Sequence, residues 1–197
     1  MIRTFVAVEL EASVRQALAQ VQATLRSRLE KSIDSGVRIQ WVKPESIHLT
    51  LKFLGDMPED RVPDVQTVLT RVAGGHSRFT VDVEGLGVFP DARAPRVLWV
   101  GLTAHVDALK RLAADVEAVL GAIGFAPESK PFNPHLTLAR IKERSRDIGQ
   151  TLAVDRMLER AAPIGTVMVN AIALMKSELK PSGAVYTKLC EVSLKEA

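Results

Sequence analysis

The run His48-Leu49-Thr50-Leu51 recurs as His135-Leu136-Thr137-Leu138, and each copy ends the same succession of elements. An apolar strand comes first, Phe5–Leu10 in one unit and Val97–Leu102 in the other. An amphipathic helix follows, and then the His-x-Thr strand. From Leu10 to His48 is 38 positions and from Leu102 to His135 is 33, so the units correspond with a small offset. Such a duplication predicts two similar lobes related by an approximate two-fold axis, each offering one motif strand to a central groove.

Apolar spacing fills in the elements. Val14, Leu18, Val21, Leu25 and Leu29 predict a helix over 12–31, and Val106, Leu109, Leu112, Val116, Val119, Leu120 and Ile123 predict another over 106–123. Val62, Val65, Val68, Leu69 and Val72 give a shorter helix that stops at Gly74-Gly75. Strands are expected over 2–9, 37–42, 46–54, 79–88, 96–103, 132–141, 164–175 and 184–194, with a weaker helical pattern over 147–160. Turns at Lys43-Pro44-Glu45, around Pro90-Asp91 and at Lys180-Pro181-Ser182-Gly183 separate neighbours. Such turns favour hairpins, so the fold class expected is α+β: two pseudo-symmetric lobes, each an antiparallel sheet with helices packed on its outer face, and a cleft between them. No Pro/Gly/Ser-rich linker divides the chain. Residues 1–197 therefore read as a single bilobal domain with tandem halves of roughly 1–90 and 91–197.

The motifs carry chemistry. A strand alternates its side chains, so His48 and Thr50 share one face while Leu49 and Leu51 turn to the core, and likewise His135 and Thr137 against Leu136 and Leu138. Two imidazoles with an ordinary pKa of about 6.5 can supply one base and one acid near neutrality. Two threonine hydroxyls can donate to an anion held between them. The set suits phosphoester chemistry without a metal. His76 and His105 have no matching copies and read as structural. Five positions after each histidine stand Phe53 and Arg140, a ring and a planar guanidinium. These could sandwich a nucleobase, or Arg140 could clamp the phosphate. Strict alternation would put both on the wrong face, so their use requires a bulge, a twist or a strand end there.

Composition narrows the classes. The net charge of +3 is compatible with a polyanionic partner without defining one. The single cysteine, Cys190, excludes an internal disulfide and fits a reducing compartment. No apolar run approaches the roughly 20 residues of a membrane span, and the first ten residues read as a strand without a signal-peptide cleavage site. A cytoplasmic location is expected. Neither His-Glu-x-x-His spacing nor a Cys/His cluster accompanies the motifs, so no metal or other cofactor is expected.

The stretches Trp41-Val42-Lys43-Pro44-Glu45-Ser46-Ile47-His48-Leu49-Thr50-Leu51-Lys52-Phe53-Leu54-Gly55 and Pro131-Phe132-Asn133-Pro134-His135-Leu136-Thr137-Leu138-Ala139-Arg140 resemble the two-histidine phosphoesterases. The likeness is to the bacterial and archaeal RNA 2′,3′-cyclic phosphodiesterases once described as 2′-5′ RNA ligases. Arg3-Thr4-Phe5-Val6-Ala7-Val8, Ser177, Gly183 and Tyr186 extend it along the chain. The resemblance implies metal-free hydrolysis of a terminal 2′,3′-cyclic phosphate to a 2′-phosphomonoester. By the same resemblance His48 is the general acid and His135 the general base, with Thr50 and Thr137 on the phosphate; the pseudo-symmetry leaves the reverse assignment open. The implied partner is an RNA or nucleotide with a 2′,3′-cyclic phosphate end, tRNA halves among the candidates, with no membrane and no obligate protein partner. Other readings are a two-histidine enzyme acting on another small cyclic or 2′-5′ nucleotide, and a non-catalytic module that grips an RNA end.

Overall fold

The first strand, β1 (Ile2–Glu9), is buried at nearly every position, as an interior strand covered on both faces must be. The computed structural model describes residues 1–32, 38–154, 158, 163–180 and 183–196. After β1 come α1 (Ala12–Ser32), β2 (Ile39–Trp41), β3 (His48–Met57), α2 (Val62–Ala73), β4 (Phe79–Phe89) and β5 (Val97–Thr103). The chain continues through α3 (Val106–Ala122), β6 (His135–Ile141), α4 (Ser145–Val154), β7 (Pro163–Val169), β8 (Ala171–Lys180) and β9 (Gly183–Ser193). A 3-10 turn at Pro44–Ser46 occupies the predicted turn before β3.

The class is α+β with antiparallel pairing, as the duplication and the turns predict. The strands form one continuous sheet in the order β7-β4-β5-β6-β3-β1-β8-β9, with β2 on β6. The two motif strands sit at its middle and are joined through one residue pair, Leu49 with Leu136. That pair lies at the approximate two-fold. On either side the order mirrors: β3, β1, β8, β9 against β6, β5, β4, β7. Each group draws strands from both sequence halves, since β4 pairs with β5 and β7, and β8 returns to pair with β1.

The predicted strand over 164–175 is two strands, broken at Asn170. Buried Val167, Val169, Ile172 and Leu174 keep one apolar rhythm across the break, which hides it from a pattern reading. Asn170 joins β7, at one end of the strand order, to β8, next to the other end, so the sheet curls until its ends approach. A short bridge between Ser77 and Lys195 closes the same seam. Of the predicted helix 147–160, α4 covers the part to Val154, while residues 155–157 and 159–160 lie outside those described. Pro181 and Ser182 of the last predicted turn also lie outside, between the paired Lys180 and Gly183.

The main core fills the space between one sheet face and the helices, and includes Leu18, Leu49, Leu109, Leu112, Leu136 and Leu138. The helices therefore lie behind the motif strands, on the leucine side. A second, smaller apolar group of Phe5, Ala7, Ala173 and Met175, with Tyr186 against it, lies apart from that core. No helix among the described residues is long and apolar enough to cross a membrane.

Candidate active site

Leu49 and Leu136 face each other across the β3–β6 pair and are fully buried toward the helices. Partners in an antiparallel pair share a face, so the residues flanking them turn together to the opposite face. Continuing the register by one residue sets His48 opposite Thr137 and Thr50 opposite His135. The ladder between β3 and β6 is a single pair long, so the strands part on both sides and open a cleft there. All four residues are half-buried on that side of the sheet.

Both strands then break their alternation at the same place. Opposite β1, Lys52 pairs with Val6 and Thr50 with Ala7, leaving Leu51 as an extra residue. Opposite β5, Ala139 pairs with Leu98 and Thr137 with Trp99, leaving Leu138 extra. Each bulge produces two consecutive buried residues, Leu51-Lys52 and Leu138-Ala139. Parity is thereby reversed, and Phe53 and Arg140 come onto the histidine face. The ring of Phe53 is 56% exposed and stands 6.1 Å from Phe5, whose ring stacks on His48 at 4.6 Å.

Each imidazole is anchored alike. His48 Nδ1 donates to the carbonyl of Ser46 at 2.9 Å, and His135 Nδ1 donates to the carbonyl of Asn133 at 2.7 Å. A carbonyl only accepts, so in the neutral ring the proton sits on Nδ1 and the lone pair on Nε2. His48 is further flanked by Tyr186 at 4.9 Å, edge-on. His135 has Phe89 edge-on at 5.0 Å and Trp99 at 6.1 Å. Sequence reasoning assigned no role to Ser46, Asn133, Phe5, Phe89 or Trp99. The two anchors act through backbone carbonyls, which leave no mark on residue type.

Trp99 reaches His135 because its cross-strand partner is Gly87, over which the indole lies. A methyl at Gly87 would stand inside the Trp99 ring. We expect Gly87→Ala to cost about 1–3 kcal/mol through this overpacking, measured by chemical denaturation, with a shifted tryptophan fluorescence in the native baseline.

Burial pushes the His48 pKa below its ordinary value; the Ser46 carbonyl raises it, Arg140 lowers it, Glu9 raises it and His135 lowers it. Arg140 and His135 belong to β6, so charges from the second motif strand act directly on the first histidine. Between about 6.5 and the lower folded value the unfolded chain binds more proton at this site than the native one. Stability therefore falls as pH drops through that window, and is undiminished above it. Denaturant midpoints measured from pH 8 to pH 5 should decline less steeply in His48→Gln than in the wild type; parallel curves would exclude His48 as the source.

Among the described residues, no group of three or more His, Cys, Asp or Glu side chains is placed to hold a metal ion. Two half-buried imidazoles, two hydroxyls and one guanidinium on a single sheet face, with aromatic neighbours, can bind an anion and move a proton at two points.

A family model described as LigT like Phosphoesterase matches the chain twice, over residues 8–99 and 100–186. The chain belongs to this family of LigT-like phosphoesterases. It is 31% identical over 194 residues to the RNA 2′,3′-cyclic phosphodiesterase of Methanothermobacter thermautotrophicus, covering 95% of this chain and 96% of that protein. It is 37% identical over 168 residues to the RNA 2′,3′-cyclic phosphodiesterase of Aquifex aeolicus, covering 85% and 88%. The crystal structure of the Thermus thermophilus protein TT0787 superposes with a TM-score of 0.76 at 33% identity, over 99% of each chain. The fold is shared with E. coli LigT, solved in complex with 3′-AMP, at a TM-score of 0.74 and 24% identity over 99% of each chain.

Proposed function

We propose that this chain is an RNA 2′,3′-cyclic phosphodiesterase that opens a terminal 2′,3′-cyclic phosphate to a 2′-phosphomonoester without a metal. The observation that carries the reading is the two-fold placement of His48-x-Thr50 and His135-x-Thr137 on one face about the Leu49–Leu136 pair. The names of the relatives over nearly the whole chain point to the same substrate.

The cyclic phosphate bridges O2′ and O3′ of the last ribose. His135 Nε2 takes a proton from water, whose oxygen bonds to phosphorus. The P–O3′ bond breaks, and protonated His48 gives its Nε2 proton to O3′. In-line displacement needs base and acid on opposite sides of phosphorus, which suits histidines related by a two-fold axis. Thr50 and Thr137 donate to the non-bridging oxygens, where charge concentrates. Burial holds His48 toward its neutral form. A phosphate anion beside it acts the other way and favours the acid. Arg140 lies near enough to His48 to act on its charge, which favours a phosphate contact over stacking, and leaves the exposed ring of Phe53 as the platform for the base.

The test is product analysis by phosphorus NMR on an oligoribonucleotide ending in a 2′,3′-cyclic phosphate. A 2′-phosphomonoester is expected, with chelator present or absent. A 3′-phosphomonoester would overturn the bond assignment, and binding without turnover would make the chain an RNA-end-binding module. Replacing O3′ by sulfur provides a leaving group that needs no acid, so His48→Ala should lose far less activity on that substrate than His135→Ala. A 5′-hydroxyl in place of water turns the same displacement into 2′-5′ ligation, with tRNA halves as substrates and the cytoplasm as setting.

A further inference from the structure

Gln22 lies on the buried stripe of α1 between Leu18 and Leu25, where an apolar residue is the rule, and is only 7% exposed. Its amide nitrogen donates to two carbonyls, Val42 at 2.8 Å and Leu138 at 2.9 Å. Val42 N–H also donates to the Leu138 carbonyl at 2.9 Å. Leu138 is the extra residue of the β6 bulge, and Val42 begins the lead-in from β2 to His48. One side chain thus ties the approach to the first histidine to the bulge beside the second.

The other lobe repeats the device with different chemistry. Lys52, at the β3 bulge, is 1% exposed, and its ammonium donates to Glu117 of α3 at 2.6 Å and to the carbonyl of Ala126 at 2.8 Å. The second Glu117 oxygen accepts from Glu128 N–H at 3.1 Å, and the Glu128 carboxylate accepts from Phe53 N–H at 3.3 Å. Residues 126–128 belong to the lead-in to His135. Here α3 ties the approach to the second histidine to the bulge beside the first. The two helices are equivalent under the two-fold, yet one uses a neutral amide and the other an ion pair whose lysine is buried and whose glutamate is half-buried.

We propose that Gln22 and the Lys52–Glu117 pair are positioning residues that together set the spacing of the two imidazoles across the cleft. Buried polar groups of this kind cost stability unless every donor is matched, and an ion pair behind a sheet can be replaced by apolar residues with little loss. Packing alone does not account for two such groups at equivalent bulges. Each clamp crosses from one motif strand to the lead-in of the other, so loosening either one lets the imidazoles move apart. The inference rests on reading the cleft as a two-histidine phosphodiesterase site.

The experiment compares Gln22→Glu, Gln22→Met, Lys52→Met and the double variant Lys52→Met/Glu117→Leu with Leu29→Ala, a buried change elsewhere on α1. Turnover of a 2′,3′-cyclic nucleotide is measured well below each melting temperature. Each clamp variant should lose roughly 10- to 100-fold in kcat with KM within about twofold, as expected for misplaced groups, while Leu29→Ala keeps its kcat. The double variant should regain stability over Lys52→Met without regaining kcat; if kcat returns with stability, the role is only structural and the proposal falls. The ring signals of His48 and His135, observed by NMR without substrate, give a second readout. Gln22→Met should move the His48 signal and Lys52→Met the His135 signal. Signals unmoved in both would overturn the proposal. Moved signals in a protein whose wild type leaves cyclic nucleotides intact would overturn the assigned reaction and keep the clamps.

Discussion

Replacing His48 or His135 by alanine should each lower turnover of a 2′,3′-cyclic phosphate by about 10²–10⁴-fold, the usual worth of one positioned proton transfer. Neither ring is part of the leucine core behind the sheet, so the fold should survive, with the melting transition and the far-ultraviolet spectrum kept. Under the proposed mechanism the two effects should not multiply, because acid and base would serve one displacement and the second loss would remove a partner already idle. The profile of kcat/KM against pH should be bell-shaped in the wild type, with one limb missing in each single variant. A variant retaining half its activity would remove that histidine from the reaction.

Thr50→Val and Thr137→Val should follow in size, about 10²-fold each in kcat, the scale of one donor aimed at developing negative charge. Valine keeps the branched shape a strand favours and deletes only the hydroxyl, so folding is preserved. Thr50 stands across from Ala7 on β1 and Thr137 across from Trp99 on β5, which leaves each hydroxyl to the cleft rather than to its strand neighbour. Steady-state kinetics with inorganic phosphate as a competing ligand checks the assignment. Unchanged kcat with weakened phosphate inhibition would make the hydroxyls ground-state contacts only.

The motif strands, α1, α3 and the β4–β5 hairpin were legible in the sequence because each carries its own apolar period. His48, Thr50, His135 and Thr137 were legible because the same four letters occur twice. Phe53 and Arg140 were legible as a pair, but not their facing, which depends on the bulges at Leu51 and Leu138. Those bulges arise from pairing with β1 and β5, and no local pattern encodes a distant register. The break at Asn170 was invisible for the same reason: both flanking strands are buried in one core and differ only in the partner across the sheet. Nothing in the sequence marks Lys52 as buried. Only its meeting with Glu117, across 65 positions of chain, shows why it can be buried.

The exchange of strands between sequence halves has a consequence for any attempt to cut the polypeptide. A fragment ending at Phe89 would contain β4 but neither of its neighbours, since Val97–Thr103 and Pro163–Val169 lie beyond the cut. The remaining fragment would hold β8 without β1. Each piece would expose bare ladder edges of apolar side chains, a state prone to aggregate. Neither piece could stand alone, and mixing the two should restore one interlocked body.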